Sequence, residues 1–382
     1  MTPQVEVKPL SRRQRRFVFA LLILIFVFAV PFSLFYAMGY RFDFSDKLNS
    51  IKSVGGLYVR NDVANTQMFL NDAPVVGVRV FRKAAYIQNL NAGEHKVHVQ
   101  GTDVQTWVKK LPVYPHLVTE VASFNLPKIP QIRLLTPWLQ AVSGEAVLFD
   151  TTTATDFKFA VISNALHYSS TTATTTFTTN AEYKYIKTLF ASSTEQKVVL
   201  TLKKKTATAK RPTFDVATSS GKIQTATTTK TRSDVSLFAQ GQEVRVKWTG
   251  NADNIPYYYC LQYQGEKQTV EQYGAHVFEE IQAEFASSTD LKKKVDTRIC
   301  RNTIRIDRLR QSVAWFDFYP HSTDLVLMLL DDGLYAVEID DRSWQNTQLL
   351  YPGKNLDVVQ DGGRIFVHDR GYYLEVFTSM PS

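Results

Sequence analysis

The chain has 382 residues, 44% of them apolar, 21% charged and 12% aromatic, with a net charge of +8. That composition excludes a disordered or collagen-like chain and leaves room for two or three domains. Residues 1–16 hold five basic side chains and one acid, so half the net charge sits in a short tail and reads as a topology signal more than as a nucleic-acid footprint.

The tail ends in Arg12, Arg13, Arg15 and Arg16, and an uncharged, almost wholly apolar run from Phe17 to Met38 follows. Twenty-two residues at 1.5 Å each span roughly 33 Å, enough to cross a bilayer core. The arginines are the topology signal: positive charge stays inside, so the N-terminus is expected in the cytoplasm and the remainder outside it. Pro31 and the small residues around Ala37–Gly39 also fit a cleaved signal peptide; the length of the run favours an uncleaved anchor. The expected location is a bacterial-type cell membrane, single-pass, with lipid contacted through residues 17–39.

After a juxtamembrane linker (40–54), residues 55–126 read as short strands separated by turns, including Asn71-Asp72 and Asn91-Ala92-Gly93. The opening Gly55-Gly56-Leu57-Tyr58-Val59, the hairpin Leu90-Asn91-Ala92-Gly93 and the alternating Lys96-Val97-His98-Val99 resemble the PEGA domain. The naming Pro-x-Gly-Ala is replaced by Val63-Ala64-Asn65-Thr66, in which Asn65 suits the left-handed backbone of the glycine slot. The resemblance implies a small, non-catalytic β-sandwich of envelope proteins.

A proline-bearing linker (127–143) leads to residues 144–382. There "SVAWFDF", "DLVLMLL", "LYAVEID" and "QNTQLLY" form a four-stranded meander of one propeller blade's length, and "LDVVQ", "RIFVHD" and "YYLEVF" start a second cycle that lacks its fourth strand. The outline resembles WD-repeat-related β-propellers, with space for about six blades, a β-sandwich array being the rival. "GEAVLF" (144–149) is the candidate closing strand, and "EVRVKWTG" with "PYYYCLQY" a further blade. Residues 269–285 read as an amphipathic helix, with Glu271, Glu279, Glu280 and Glu284 on its solvated face. The expected fold class is therefore mainly β: an N-terminal transmembrane helix, a PEGA-like sandwich and a propeller-like domain interrupted by Thr/Ser-rich inserts.

No catalytic, cofactor or metal motif stands out. His95 and His98 are three apart on a strand and point to opposite faces, which rules against a shared metal. Asp331-Asp332 and Asp340-Asp341 fall at turns, where Asp has a backbone role. His368 and Asp369 are adjacent on a strand and diverge. Cys260 and Cys300 are candidates for a disulfide, on neighbouring blades by their spacing. Lys203, Lys204, Lys205, Lys210 and Arg211, in an insert with eight basic residues and one acid, are candidates for polyanion contact, against a plain solvated loop. The functional expectation is a non-enzymatic, membrane-anchored envelope protein whose β-domains bind protein or polysaccharide, with no nucleic acid, cofactor or small-molecule substrate. The alternatives are a hydrolase or lyase acting on envelope glycans, and a structural subunit of an envelope assembly.

Overall fold

The computed structural model describes residues 11–43, 50–63, 65–76, 80–81, 84–135, 138–140, 146–148, 157–162, 165–170, 180–193, 229–241, 243–285, 291 and 297–378. The five basic residues proposed for polyanion contact lie outside them. The chain is mainly β and falls into two compact units. One comprises Met1–Asp62, Val75–Lys96 and Lys110–Ser123; the other comprises Val63–Pro74, Val97–Lys109 and Phe124–Ser382.

The first element is helix α1 (Arg12–Ala37), with all four topology arginines in its first turns. Ser11 opens it with a capping box: its hydroxyl accepts from Gln14 N–H, and the Gln14 side chain accepts from Ser11 N–H. The helix runs through Pro31 without ending, buries no side chain and has a mean hydropathy of 2.9. It is long and apolar enough to span a membrane.

Nine strands follow: β1 (Tyr40–Asp43), β2 (Ser50–Asn61), β3 (Gln67–Leu70), β4 (Ala73–Pro74), β5 (Val80–Phe81), β6 (Ala84–Asn91), β7 (Gly93–Gln100), β8 (Trp107–Val113) and β9 (Val118–Ser123). They make two sheets. One has the order β1-β2-β6-β5, with β9 parallel to β2; the other is β4-β3-β7-β8. Residues expected as a juxtamembrane linker are thus partly strand, because β1 pairs with the start of β2 from Tyr40↔Ser53 to Asp43↔Ser50. Gly55 explains itself here: a Cβ would stand 2.3 Å from Tyr114 O and 2.9 Å from Leu117 O, so only glycine lets β2 approach that turn. Asn65, Asn71 and Asp72 all take positive φ, the last two as the β3–β4 turn.

Five short strands come next, β10 (Gln131–Leu134), β11 (Trp138–Gln140), β12 (Ala146–Leu148) and the hairpin β13 (Phe157–Ile162) with β14 (Ala165–Ser170), then α2 (Asn180–Ser193). The rest of the chain is β15 (Thr229–Arg232), β16 (Val235–Gln240), β17 (Glu243–Trp248), β18 (Cys260–Tyr263), α3 (Glu266–Tyr273), α4 (Ala275–Glu284), β19 (Thr297–Cys300) and β20 (Thr303–Ile306). It ends with β21 (Trp315–Phe318), β22 (Leu325–Leu330), β23 (Gly333–Glu338), β24 (Thr347–Pro352), β25 (Asp357–Asp361), β26 (Arg364–Asp369) and β27 (Tyr372–Phe377).

The meander β21-β22-β23-β24 is a continuous antiparallel sheet, as its alternation and turns predict. Val326 to Leu330 are all buried, which answers the two-sided apolar run of β22. Val326, Met328 and Leu330 pack with Leu237, Val246, Ile304 and Ile306 of the sheet β15-β16-β17-β20, and one apolar core joins the two sheets. In the last sheet the order is β14-β13-β10-β27-β26-β25. Gln131–Leu134 therefore pairs with the final strand, from Gln131↔Phe377 to Leu134↔Leu374. The strand expected in that place, within 144–149, instead pairs with β11. No sheet closes on itself among the described residues.

Three other expectations change. "EVRVKW" and "CLQY" do not share a sheet: β17 lies beside β16 and β20, whereas among the described residues β18 pairs only with β19. Cys260 and Cys300 face each other across that two-stranded ribbon and are disulfide-bonded, so they bridge neighbouring strands and not neighbouring four-stranded sheets. The 269–285 segment is two helices, because Gly274 takes φ 92° between them. Tyr273, Val277, Phe278 and Ile281 nevertheless form the apolar stripe, packed on Leu261 and Ile299 of the ribbon.

Candidate binding cavity and buried charge network

Strands β15, β21 and β25 each lie at one end of their sheet, and they share a cavity of about 100 Å³. Such end strands carry backbone groups outside the ladder. The apolar lining comes from Leu329, Leu356 and Val358, and Trp315 adds an aromatic surface. The polar lining is Lys230, Asp317, Asp357 and Gln360. Lys230 Nζ stands 3.3 Å from Asp317 Oδ2, and His368 Nδ1 stands 3.4 Å from Asp357 Oδ2. The His368 ring is also stacked on Tyr373 at 4.5 Å. Gln360 Oε1 is buried without a hydrogen-bond partner, an acceptor open to a ligand or a water. The cavity thus combines an aromatic face, acceptors and one cation, the outfit of a polar recognition site. His368 and Asp369 diverge as the alternation predicts: Asp369 accepts from the Tyr351 hydroxyl at 2.9 Å, away from His368's partner.

A second polar assembly is buried at the far end of β23. Lys109, on β8 and fully buried, donates to Glu338 Oε1 and to Asp340 O, each at 2.5 Å. Glu338 also accepts from Trp107 Nε1, Asn346 N and Asn346 Nδ2 at 2.8–3.0 Å. Asp340 accepts two bonds from the Arg342 guanidinium, whose carbon lies 4.8 Å from the Tyr257 ring centre. Burial pushes the Glu338 carboxyl above its usual range. At Asp340 burial pushes the same way, but the Arg342 and Lys109 charges outweigh it and hold the group well below the usual carboxylate range. Gln105 and Gln348 extend the seam, bonding to Leu349 O and Phe124 O at 2.7 and 3.0 Å.

Next to this seam, fully buried Arg301 bonds Glu280 Oε2 at 2.8 Å and Asp341 Oδ1. His276 Nε2 is 3.8 Å from Asp341 Oδ2. Burial raises Glu280 to about 7, against the pull of Arg301, and burial likewise lowers His276. Two sequence-based assignments are corrected here. Asp340 and Asp341 are ion-pair partners in the interior and not merely turn residues, and Glu280 is buried and not on a solvated face. Asp331 and Asp332 do keep turn roles, accepting from Ser312 N and the Tyr335 hydroxyl.

His95 and His98 are separated as the strand period predicts. His95 bonds Asn91 O at 2.8 Å, while His98 stacks on Phe69 at 4.5 Å and lies 3.8 Å from Asp72. Among the described residues no group of three or more His, Cys, Asp or Glu side chains is arranged to hold a metal ion. The chain matches no protein-family model, no curated protein and no solved structure. Fold and site together define a mainly β protein with one N-terminal helix of membrane-spanning length.

Proposed function

We propose that the chain is a non-enzymatic, single-pass envelope protein: its N-terminus is cytoplasmic, and its PEGA-like and propeller-like β-regions bind protein or polysaccharide outside the cytoplasm. The observation that carries this reading is the meeting of β15, β21 and β25 at one cavity. These are end strands of two four-stranded sheets and of the six-stranded one, and each is the first of its run in the chain, as the inner strands of successive blades are around a propeller axis. The apolar α1 supports the anchor, and the Cys260–Cys300 bond suits an oxidising compartment. The test is co-sedimentation of the purified protein with envelope polysaccharide, together with capture of envelope proteins, using wild type and the variants Asp357→Asn and Gln360→Ala. Binding should fall about tenfold or more in the variants, the loss of roughly one good polar contact. Unchanged binding in both would remove the cavity from the proposal.

A hydrolase or lyase acting on glycans is the second reading. Asp317 and Asp357 line the same cavity and His368 adjoins one of them, and paired carboxylates are what glycoside hydrolysis uses. Release of reducing ends from envelope glycan, abolished by Asp317→Asn, would favour it over recognition alone.

A further inference from the structure

We propose that the turn Pro115–Val118 is a second membrane contact, with Leu117 and Val118 entering the interfacial layer of the leaflet from which α1 emerges. The inference rests on reading α1 as a membrane span. The position of the turn is fixed by bonds to the helix exit. His116 N–H donates to Val54 O at 2.9 Å, its ring bonds Met38 O, and its ring centre lies 4.7 Å from that of Tyr40. A Cβ built on Gly39 would stand 3.8 Å from the His116 Cα. With consecutive Cα atoms about 3.8 Å apart, Leu117 lies within roughly 10 Å of the point where the chain leaves α1.

The turn is not free to swing away. Arg41 donates to Tyr36 O and Tyr40 O at 2.7 and 2.9 Å, stacks 3.5 Å over the Tyr36 ring and bonds Asn89 on β6. Val54 N–H donates to Gly39 O at 2.9 Å, and Gly56 N–H to Leu117 O at 2.9 Å. Helix exit, β2 and turn therefore form one bonded cluster. Its apolar side chains face outward: Leu117 and Val118 are 52% and 51% exposed, beside Tyr36 and Met38 at 52% and 60%. The apolar run of α1 and its C-cap, Phe17–Met38, is about 33 Å long, so Met38 comes to the edge of a hydrocarbon core of about 30 Å. The headgroup layer beyond that edge is about 5–7 Å deep, within reach of a side chain at Leu117. An aliphatic pair in that layer avoids the cost it carries in water.

The chain's two cysteines are bonded to each other, so an introduced cysteine is the sole free thiol. The full chain carrying Leu117→Cys, Leu34→Cys or Asp62→Cys is nitroxide-labelled and reconstituted in phosphatidylcholine–phosphatidylglycerol vesicles. Accessibility to oxygen is then compared with accessibility to a water-soluble nickel complex. Asp62 is exposed and directly follows β2, eight residues on from Val54 and roughly 26 Å away. The expected oxygen-to-nickel ratio at Leu117 is several-fold above that at Asp62 and approaches that at Leu34. A water-like ratio at Leu117 with a lipid-like ratio at Leu34 overturns the contact and leaves the span intact. A water-like ratio at Leu34 overturns the span and the contact with it.

Discussion

Of the four glutamates assigned to the solvated face of 269–285, Glu280 is the one that loses its water, because Arg301 draws it inward. Its raised pKa has a definite sign. The folded state holds the Glu280 proton to about pH 7, while an unfolded carboxyl releases it near 4.5. Stability is therefore lost as pH rises from 4.5 to 7, by about 3 kcal/mol for a shift of this size, and stays level above that. His276 works in the opposite sense: its lowered pKa costs stability only in acid, below about 6.5. The difference between wild type and Glu280→Gln isolates the glutamate. Urea unfolding at pH 5, 6, 7 and 8 should show the variant gaining on wild type through that window, and parallel curves would refute the argument. Lys109 tests the neighbouring cluster. Replacing it with Met leaves Glu338 buried without its cation, and Asp340 with Arg342 alone, and should cost about 3–5 kcal/mol in the same measurement. None of this was legible beforehand. The short-range cues at Asp340, Asp341 and Glu280 are those of turns and helix faces, and the partner that buries Glu338 comes from 229 residues earlier in the chain.

At the scale of elements, periodicity served where a strand or helix meets its core along its whole length. The β22 run and the apolar stripe of α3 and α4 are of that kind, and the turns at Asp331-Asp332 and Asn71-Asp72 carry their own chemistry. Periodicity says nothing about which strand lies beside which, so β17 and β18, twelve residues apart, read as neighbours in sequence although their ladders are separate. The ribbon β18–β19 with α3 and α4 has its own apolar cluster, and Cys260–Cys300 closes the chain around it. That makes it a candidate for local opening. Reducing the disulfide frees a 40-residue loop, worth about 3–4 kcal/mol in loop entropy. Amide exchange after reduction should accelerate across Cys260–Glu284 and Thr297–Cys300 and leave β21–β24 unchanged. Uniform acceleration through both regions would show that the ribbon unfolds only with the sheets.

For the molecule as a whole, the meander and the three antiparallel strands after it are legible in the sequence, whereas the strand beside the last of them is not: the sequence points to 144–149, and β10 takes the place. A tight turn announces a hairpin partner. A partner 242 residues away in sequence carries no such sign, since any short apolar strand satisfies the same edge. The strand that takes the place, β10, lies between β27 and β13, and Arg133 ties it down through Glu375 at 2.8 Å and Glu182 at 2.7 Å. Arg364 holds the same two glutamates, so α2 and both ends of the C-terminal region meet in one ionic cluster. Both carboxyls face burial, yet the two guanidiniums hold them below the usual range. Ile132, opposite Val376 and Phe159, is the position at which to break this closure. Proline there removes a backbone donor from a strand paired on both sides and strains its neighbours, at a cost of about 3 kcal/mol. Amides of β26 and β27 should then exchange roughly a hundredfold faster. The meander β21–β24, whose ladder is separate and whose core is shared with the sheet β15-β16-β17-β20, should keep its protection. If β27 exchanges at the wild-type rate in Ile132→Pro, then β10 lies against the last strand without holding it, and the terminal sheet draws its stability from β25–β27 alone.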